Sequence, residues 1–77
     1  MKARSPVLLV RRDPARAMHR FYALHVARDL FGGWALLREW GRVGSPGQVR
    51  AVGYPDEAAA AAAMVRLERR KRRRGYA

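Results

Sequence analysis

The chain contains no cysteine. That removes disulfides and thiolate metal sites from consideration. Carboxylates are scarce, 6 Asp and Glu against 17 Lys and Arg, for a net charge of +11. The few acids are scattered, and Ser5 and Ser45 have no His and Asp partners in view, so no catalytic set is expected. The glycine-rich phosphate-loop pattern is absent. The two histidines, His19 and His25, lack companion ligands, which argues against a zinc site. No metal and no cofactor are expected. No apolar run reaches membrane-spanning length. Lys2 and Arg4 ahead of the short apolar run 7–10 mimic a signal peptide, but Arg11 and Arg12 cut it off. A soluble, cytoplasmic, nucleoid-associated chain with no membrane contact is expected. At 77 residues the chain is a single domain, 1–77, with a marginal core.

What is present is concentrated positive charge. A compact body this basic attracts polyanions. Residues 66–74 carry the densest run: Arg66, Arg69, Arg70, Lys71, Arg72, Arg73 and Arg74, opposed by Glu68 alone. Cations suit a helix C-terminus, but seven exceed what the helix dipole uses, and dense Lys/Arg runs point to nucleic-acid contact. The bland alternative is a solvated helix end that aids solubility. A membrane-surface helix needs large apolar groups opposite the cations, and here that side is mostly alanine.

Taken in order, residues 1–6 form a basic leader expected to be flexible. A strand over 7–12 ends at Asp13-Pro14, where proline denies a ladder hydrogen bond. Residues 15–18 read as a connecting loop. Residues 19–27 alternate, with Tyr22, Leu24 and Val26 on one side and Phe21, Ala23 and His25 on the other. Both sides are fairly apolar, which predicts a central strand. Residues 28–33 form a turn around Asp29 and Gly32-Gly33, and Leu30 and Phe31 either fold back as a lid on the core, the commoner outcome, or form a small sticky patch. Residues 34–40 and 48–54 pair as an antiparallel hairpin, with Trp34, Leu36, Arg38 and Trp40 on one face. A charged ligand would meet the sheet at the Trp40 end of that face. Asp56 caps a helix over 57–73, whose alanines lie close to a sheet and whose stripe Ala60, Met64, Leu67 faces it. Gly75 stops the helix. The fold class is α+β, a small antiparallel sheet of about four strands with one C-terminal helix packed on it. Residues 66–77 form its basic helix end and tail.

Residues 39–47, Glu-Trp-Gly-Arg-Val-Gly-Ser-Pro-Gly, organise the rest. Trp40 and Arg42 flank Gly41. A flat apolar ring beside a planar cation suits a sugar or base plus a phosphate. The alternative is a tight hairpin with a core tryptophan and a solvated arginine.

The Trp40-Gly41-Arg42 stretch followed by Val43-Gly44 resembles the signature of the WGR domain. That domain occurs in DNA-damage-sensing poly(ADP-ribose) polymerases and as small stand-alone bacterial proteins. Arg20-Phe21-Tyr22 resembles the family's basic-aromatic strand start, residues 43–48 its glycine-rich turn, and Lys71 to Tyr76 the ending of bacterial members. The resemblance covers residues 17 to the C-terminus. It implies binding, not chemistry, because in the polymerases this domain contacts DNA and signals. The family's matching Trp stacks at a DNA end, its matching Arg contacts DNA or a neighbouring domain, and Arg20 stands where a family lysine touches phosphate. The chain departs from the pattern at His19 and Ala17, where relatives often carry asparagines that would make polar contacts. The polymerase versions continue beyond the Gly75-Tyr76 position, so signalling in cis is not expected here.

The expected function is sequence-tolerant DNA binding at ends, nicks or general duplex. The candidate contact residues are His19, Arg20, Arg38, Trp40, Gly41, Arg42, Arg70, Lys71, Arg73, Arg74 and Tyr76, with no role assigned to Tyr76 beyond packing or stacking. RNA is an alternative partner, since arginine and aromatic platforms serve either kind of single strand. A protein partner for the basic face, or a homodimer paired through a strand edge, is the other.

Overall fold

The structure, a computed structural model, describes residues 6–77. Apart from Pro6, the leader expected to be flexible lies outside the described residues. Four strands follow in chain order: β1 (Val7–Asp13), β2 (Met18–Arg28), β3 (Trp34–Arg42) and β4 (Gln48–Tyr54). They form one antiparallel sheet in the order β1-β2-β3-β4. One α-helix among the described residues, α1 (Glu57–Arg73), packs across one face. The α+β class and the central position of β2 are as the alternation indicates.

Strand parity divides the residues between the two faces. Toward α1 point Val7, Leu9 and Arg11 of β1, and Arg20, Tyr22, Leu24, Val26 and Arg28 of β2. The register adds Trp34, Leu36, Arg38, Trp40 and Arg42 of β3 and Arg50, Val52 and Tyr54 of β4. Leu9, Tyr22, Leu24, Val26 and Leu36 are buried there against Ala60, Ala63, Met64 and Leu67. Three of the helix alanines, Ala60, Ala61 and Ala63, are buried, so the alanine run brings the helix backbone close to the sheet. The opposite face has no element over it among the described residues.

The helix ends are specified locally. The Asp56 carboxylate accepts from the Ala59 N–H at 2.8 Å, a side-chain cap for an otherwise free donor. At the far end Gly75 takes φ +98°. The Tyr76 N–H donates to the Lys71 carbonyl and the Gly75 N–H to the Arg72 carbonyl, 3.1 Å each, a Schellman closure. The chain then reverses onto the sheet. Val10 and Ala77 exchange both backbone hydrogen bonds at 2.9 Å, so the last residue pairs with the outer edge of β1 and fixes Tyr76.

Two expectations are corrected. Leu30 and Phe31 do not fold back over the core; they are 97% and 95% exposed. The Asp29 carboxylate accepts from the N–H groups of Phe31 and Gly33 at 2.8 Å, closing the β2–β3 turn beyond the end of the core. Residues 15–18 are not a plain loop either. Pro14–Arg16 is a 3-10 turn, and Ala17 adopts a left-handed conformation at φ 51° before β2 opens at Met18.

Candidate functional site

Below Leu67 the buried helix stripe Ala60, Ala63, Met64, Leu67 changes chemistry. The next positions on that side are Lys71 and then Arg74. The sheet changes at the same level. Its apolar rows end, and the next rows are Leu9, Tyr22, Trp40 and Arg11, Arg20, Arg42. Two surfaces that meet as a dry core at one end therefore meet at the other as a cleft of aromatics and cations.

That cleft, about 400 Å³, is lined by Arg11, Arg20, Tyr22, Arg38, Trp40, Lys71, Arg74 and Tyr76. A shallower hollow of about 240 Å³ continues it over Gly41 and Arg42, sharing Arg20, Trp40 and Tyr76. No carboxylate lines either one. Glu68, the acid on the basic helix segment, is held by Arg72 at 3.0 Å.

The aromatics form a connected set. Tyr22 is buried and stacks on half-buried Trp40, with centroids 5.8 Å apart and planes at 15°. Tyr76 meets Tyr22 edge-on at 6.0 Å. Lys71 Nζ lies 4.4 Å from the Tyr22 ring centre and 5.9 Å from that of Tyr76. Burial, then the charges of Arg74, Arg38 and Arg70, lower the Lys71 pKa below the ordinary 10.5. The Tyr22 face offsets part of the lost hydration.

Arg38 lies 5.5 Å from the Trp40 ring centre. Its Nε is shielded from solvent and has no acceptor among the described residues. A buried guanidinium N–H without a partner is costly, although the Arg38 side chain as a whole lines the cleft. Arg38 also opens onto a second groove on the β4 side of the helix, lined with Arg50, Arg66 and Arg70. The two grooves make a continuous cationic band.

Of the residues singled out in the sequence, the structure brings together Arg20, Arg38, Trp40, Gly41, Arg42, Lys71, Arg74 and Tyr76. Arg70 belongs to the second groove. His19 and Arg73 do not join the cluster. His19 is exposed on the opposite face of the sheet, one step out of phase with Arg20, and Arg73 is exposed on the side of the helix turned away from the buried stripe. Arg11, Tyr22 and Arg50 join the two grooves without having been candidate contacts, and Arg66 joins them having been named only as part of the basic run. Arg11 was legible only through register, as the partner of Arg20. Gly41 has a packing reason of its own. A Cβ there would stand 2.9 Å from the Gly47 Cα and 3.5 Å from the Phe21 ring, so the hairpin itself occupies the space that glycine leaves.

The sequence model of the WGR domain matches residues 5–77. The chain belongs to the WGR domain family. The uncharacterized protein y4dW of Sinorhizobium fredii (strain NBRC 101917 / NGR234) is 44% identical to this WGR domain over 66 residues. Those residues are 86% of this chain and 32% of that protein, so the chain spans about a third of that relative's length. No solved structure matches. Among the described residues of the WGR domain, no helix is long and apolar enough to cross a membrane. Among the described residues, no cluster of three or more His, Asp or Glu is placed to hold a metal ion.

Proposed function

We propose that this WGR domain is a DNA-binding module, and that the cleft between the basic helix end and the Trp40 end of the sheet takes a strand terminus at an end, nick or gap. The supporting observation is the composition of that cleft. Arg11, Arg20, Arg38, Lys71 and Arg74 surround a Tyr22–Trp40–Tyr76 aromatic set with no carboxylate among the lining residues. Five cations with no internal counterion are a site for phosphates. The aromatic edge of Trp40, half-buried between the two hollows, offers an apolar surface for a terminal sugar or unstacked base. An intact duplex keeps such surfaces stacked away, which gives the reading its preference for interruptions. The band through Arg38 to Arg50, Arg66 and Arg70 follows the backbone away from the terminus. Nothing in this arrangement reads base edges, so the binding is sequence-tolerant.

The test is a competition series. Labelled blunt duplex, nicked duplex, covalently closed circle and structured RNA are titrated with the protein across a range of salt. Tighter binding to nicked than to closed DNA, with affinity falling steeply as salt rises, is the expected result. Equal affinity for nicked and closed DNA overturns end recognition. Stronger binding to RNA moves the assignment to RNA, and no binding at moderate salt moves it to a protein adaptor with an acidic partner.

A further inference from the structure

The sheet face opposite the helix departs from the usual pattern of an antiparallel sheet with one solvated side, which alternates apolar inward and polar outward. By the register its outward residues are Leu8, Val10 and Arg12 of β1, and His19, Phe21, Ala23, His25 and Ala27 of β2. β3 and β4 add Ala35, Leu37, Glu39, Val49 and Ala51. Leu8 and Val49 are each 66% exposed.

Charge is divided just as unevenly. Arg11, Arg20, Arg28, Arg38, Arg42 and Arg50 all project toward the helix side, where the helix adds its own cations. The open face carries Arg12 and Glu39 as its charged side chains, with two histidines. A molecule of net charge +11 repels a second copy through nearly any other approach. Through this face, the like charges of two copies are directed away from each other.

We infer that two copies of this WGR domain pair face to face through their open sheet faces. The face is self-complementary in relief as well as in charge. A depression of about 200 Å³ is lined by Ala23, His25, Leu37, Arg38, Glu39 and Val49, with Arg38 a helix-side residue by the register. Leu8 projects beside it on β1, paired with Ala23. A two-fold axis lying between the two faces, parallel to the strands, sets the Leu8 side chain of each copy into the depression of the other, the reciprocal contact of an isologous dimer. The small residues Ala23, Ala27, Ala35, Ala51 and Gly53 let the sheets approach closely.

The area sets the strength. Four strands about 4.8 Å apart and about seven residues long cover roughly 450 Å² per copy, or roughly 900 Å² in total. That is below the roughly 1,200 Å² at which stable specific interfaces begin and corresponds to a weak, concentration-dependent dimer. Screening by salt reduces the repulsion between the two cationic bodies, so this dimer tightens as salt rises. Nucleic-acid binding has the opposite salt dependence. If the cleft binds DNA, the dimer carries two binding sites on opposite outer surfaces and joins two strands' ends.

Sedimentation of the DNA-free protein from about 10 µM to about 1 mM, at low and high salt, tests the pairing independently of any DNA reading. The expected mass rises toward about twice the 8.7 kDa monomer, more so at high salt. Leu8→Lys and Val49→Lys, at exposed positions that leave the core intact, each weaken dimerisation at least about tenfold, with far-UV circular dichroism unchanged. A monomer at every concentration and salt overturns the inference. So does a dimer that survives both substitutions, which would place the contact on the free edge of β4, or one lost only with Leu30→Ser and Phe31→Ser.

Discussion

The buried Tyr22 ring lies flat against Trp40, 5.8 Å between centroids and 15° between planes, because the two are register partners on β2 and β3. The tryptophan of the signature is therefore tied to the core on one side and open to the cleft on another. One residue serves stability and the proposed contact together, and the two roles separate by measurement. Trp40→Ala is expected to cost about 2 kcal/mol in urea unfolding, less than a fully buried tryptophan, through lost packing and stacking. It also removes the preference for nicked over closed DNA while leaving the salt slope within about half a unit. Retention of that preference in a folded variant would take Trp40 out of the site.

Arg38 carries stability and binding in opposite directions. Its Nε is shielded and unpaired among the described residues. Arg38→Met is expected to raise stability in urea by about 0.5–1 kcal/mol by removing that buried donor. The same change weakens DNA binding and flattens the plot of log affinity against log salt by about one unit. His19→Ala, on the open face, leaves both the affinity and the slope as they are. Unequal outcomes of this kind place the contact on the helix side of the sheet; equal outcomes would not.

Lys71 links binding to protons. Its pKa is lowered in the free domain by burial and by Arg74, Arg38 and Arg70, so the charged form is disfavoured there. A phosphate in the cleft restores the charge, so the bound state holds more protons than the free state. Affinity therefore falls as pH rises from the lowered pKa toward 10.5, and binding takes up protons in that window. For folding the sign reverses. The unfolded chain binds more protons across the same window, so the Lys71 contribution to stability improves as pH rises. Lys71→Arg should remove the difference in both measurements, read by calorimetry in buffers of differing ionisation enthalpy and by unfolding at several pH values.

Ala17 holds a left-handed conformation, φ 51°, at the turn into β2, which costs an L-residue about 1 kcal/mol. Ala17→Gly is expected to gain up to about 0.5 kcal/mol after the greater freedom of the unfolded glycine is counted. Ala17→Asn should gain by a similar amount, since asparagine tolerates this region. The asparagine that the family resemblance places here has a backbone explanation in this conformation. Thermal unfolding gives the answer, and a loss of stability in both variants would show that Ala17 is not strained.

Much of the fold was legible because its signals are local. The period of two over residues 19–27 and 34–40 assigned the faces of β2 and β3, and the structure retains them. Asp56 and Gly75 marked the helix ends, each through capping contacts with residues close to it in the chain. The antiparallel pairing of β3 with β4 followed from a short turn between two matched runs. Leu30 and Phe31 were misread because hydrophobicity indicates a wish for burial, not a surface within reach. The Asp29 hydrogen bonds hold that turn beyond the end of the core.

The sequence by itself determined the strands, the helix, the common face of Trp34, Leu36, Arg38 and Trp40, and the excess of positive charge. These follow from torsional periods and formal charges, which neighbours along the chain dictate. Only the tertiary structure decided that Arg11 stands beside Arg20, that Lys71 rests over Tyr22, and that Tyr76 is fixed by the pairing of Ala77 with Val10. Those contacts depend on where the helix crosses the sheet and how far it runs back toward β1. Packing of the buried alanines and leucines sets that crossing, and no local pattern encodes it.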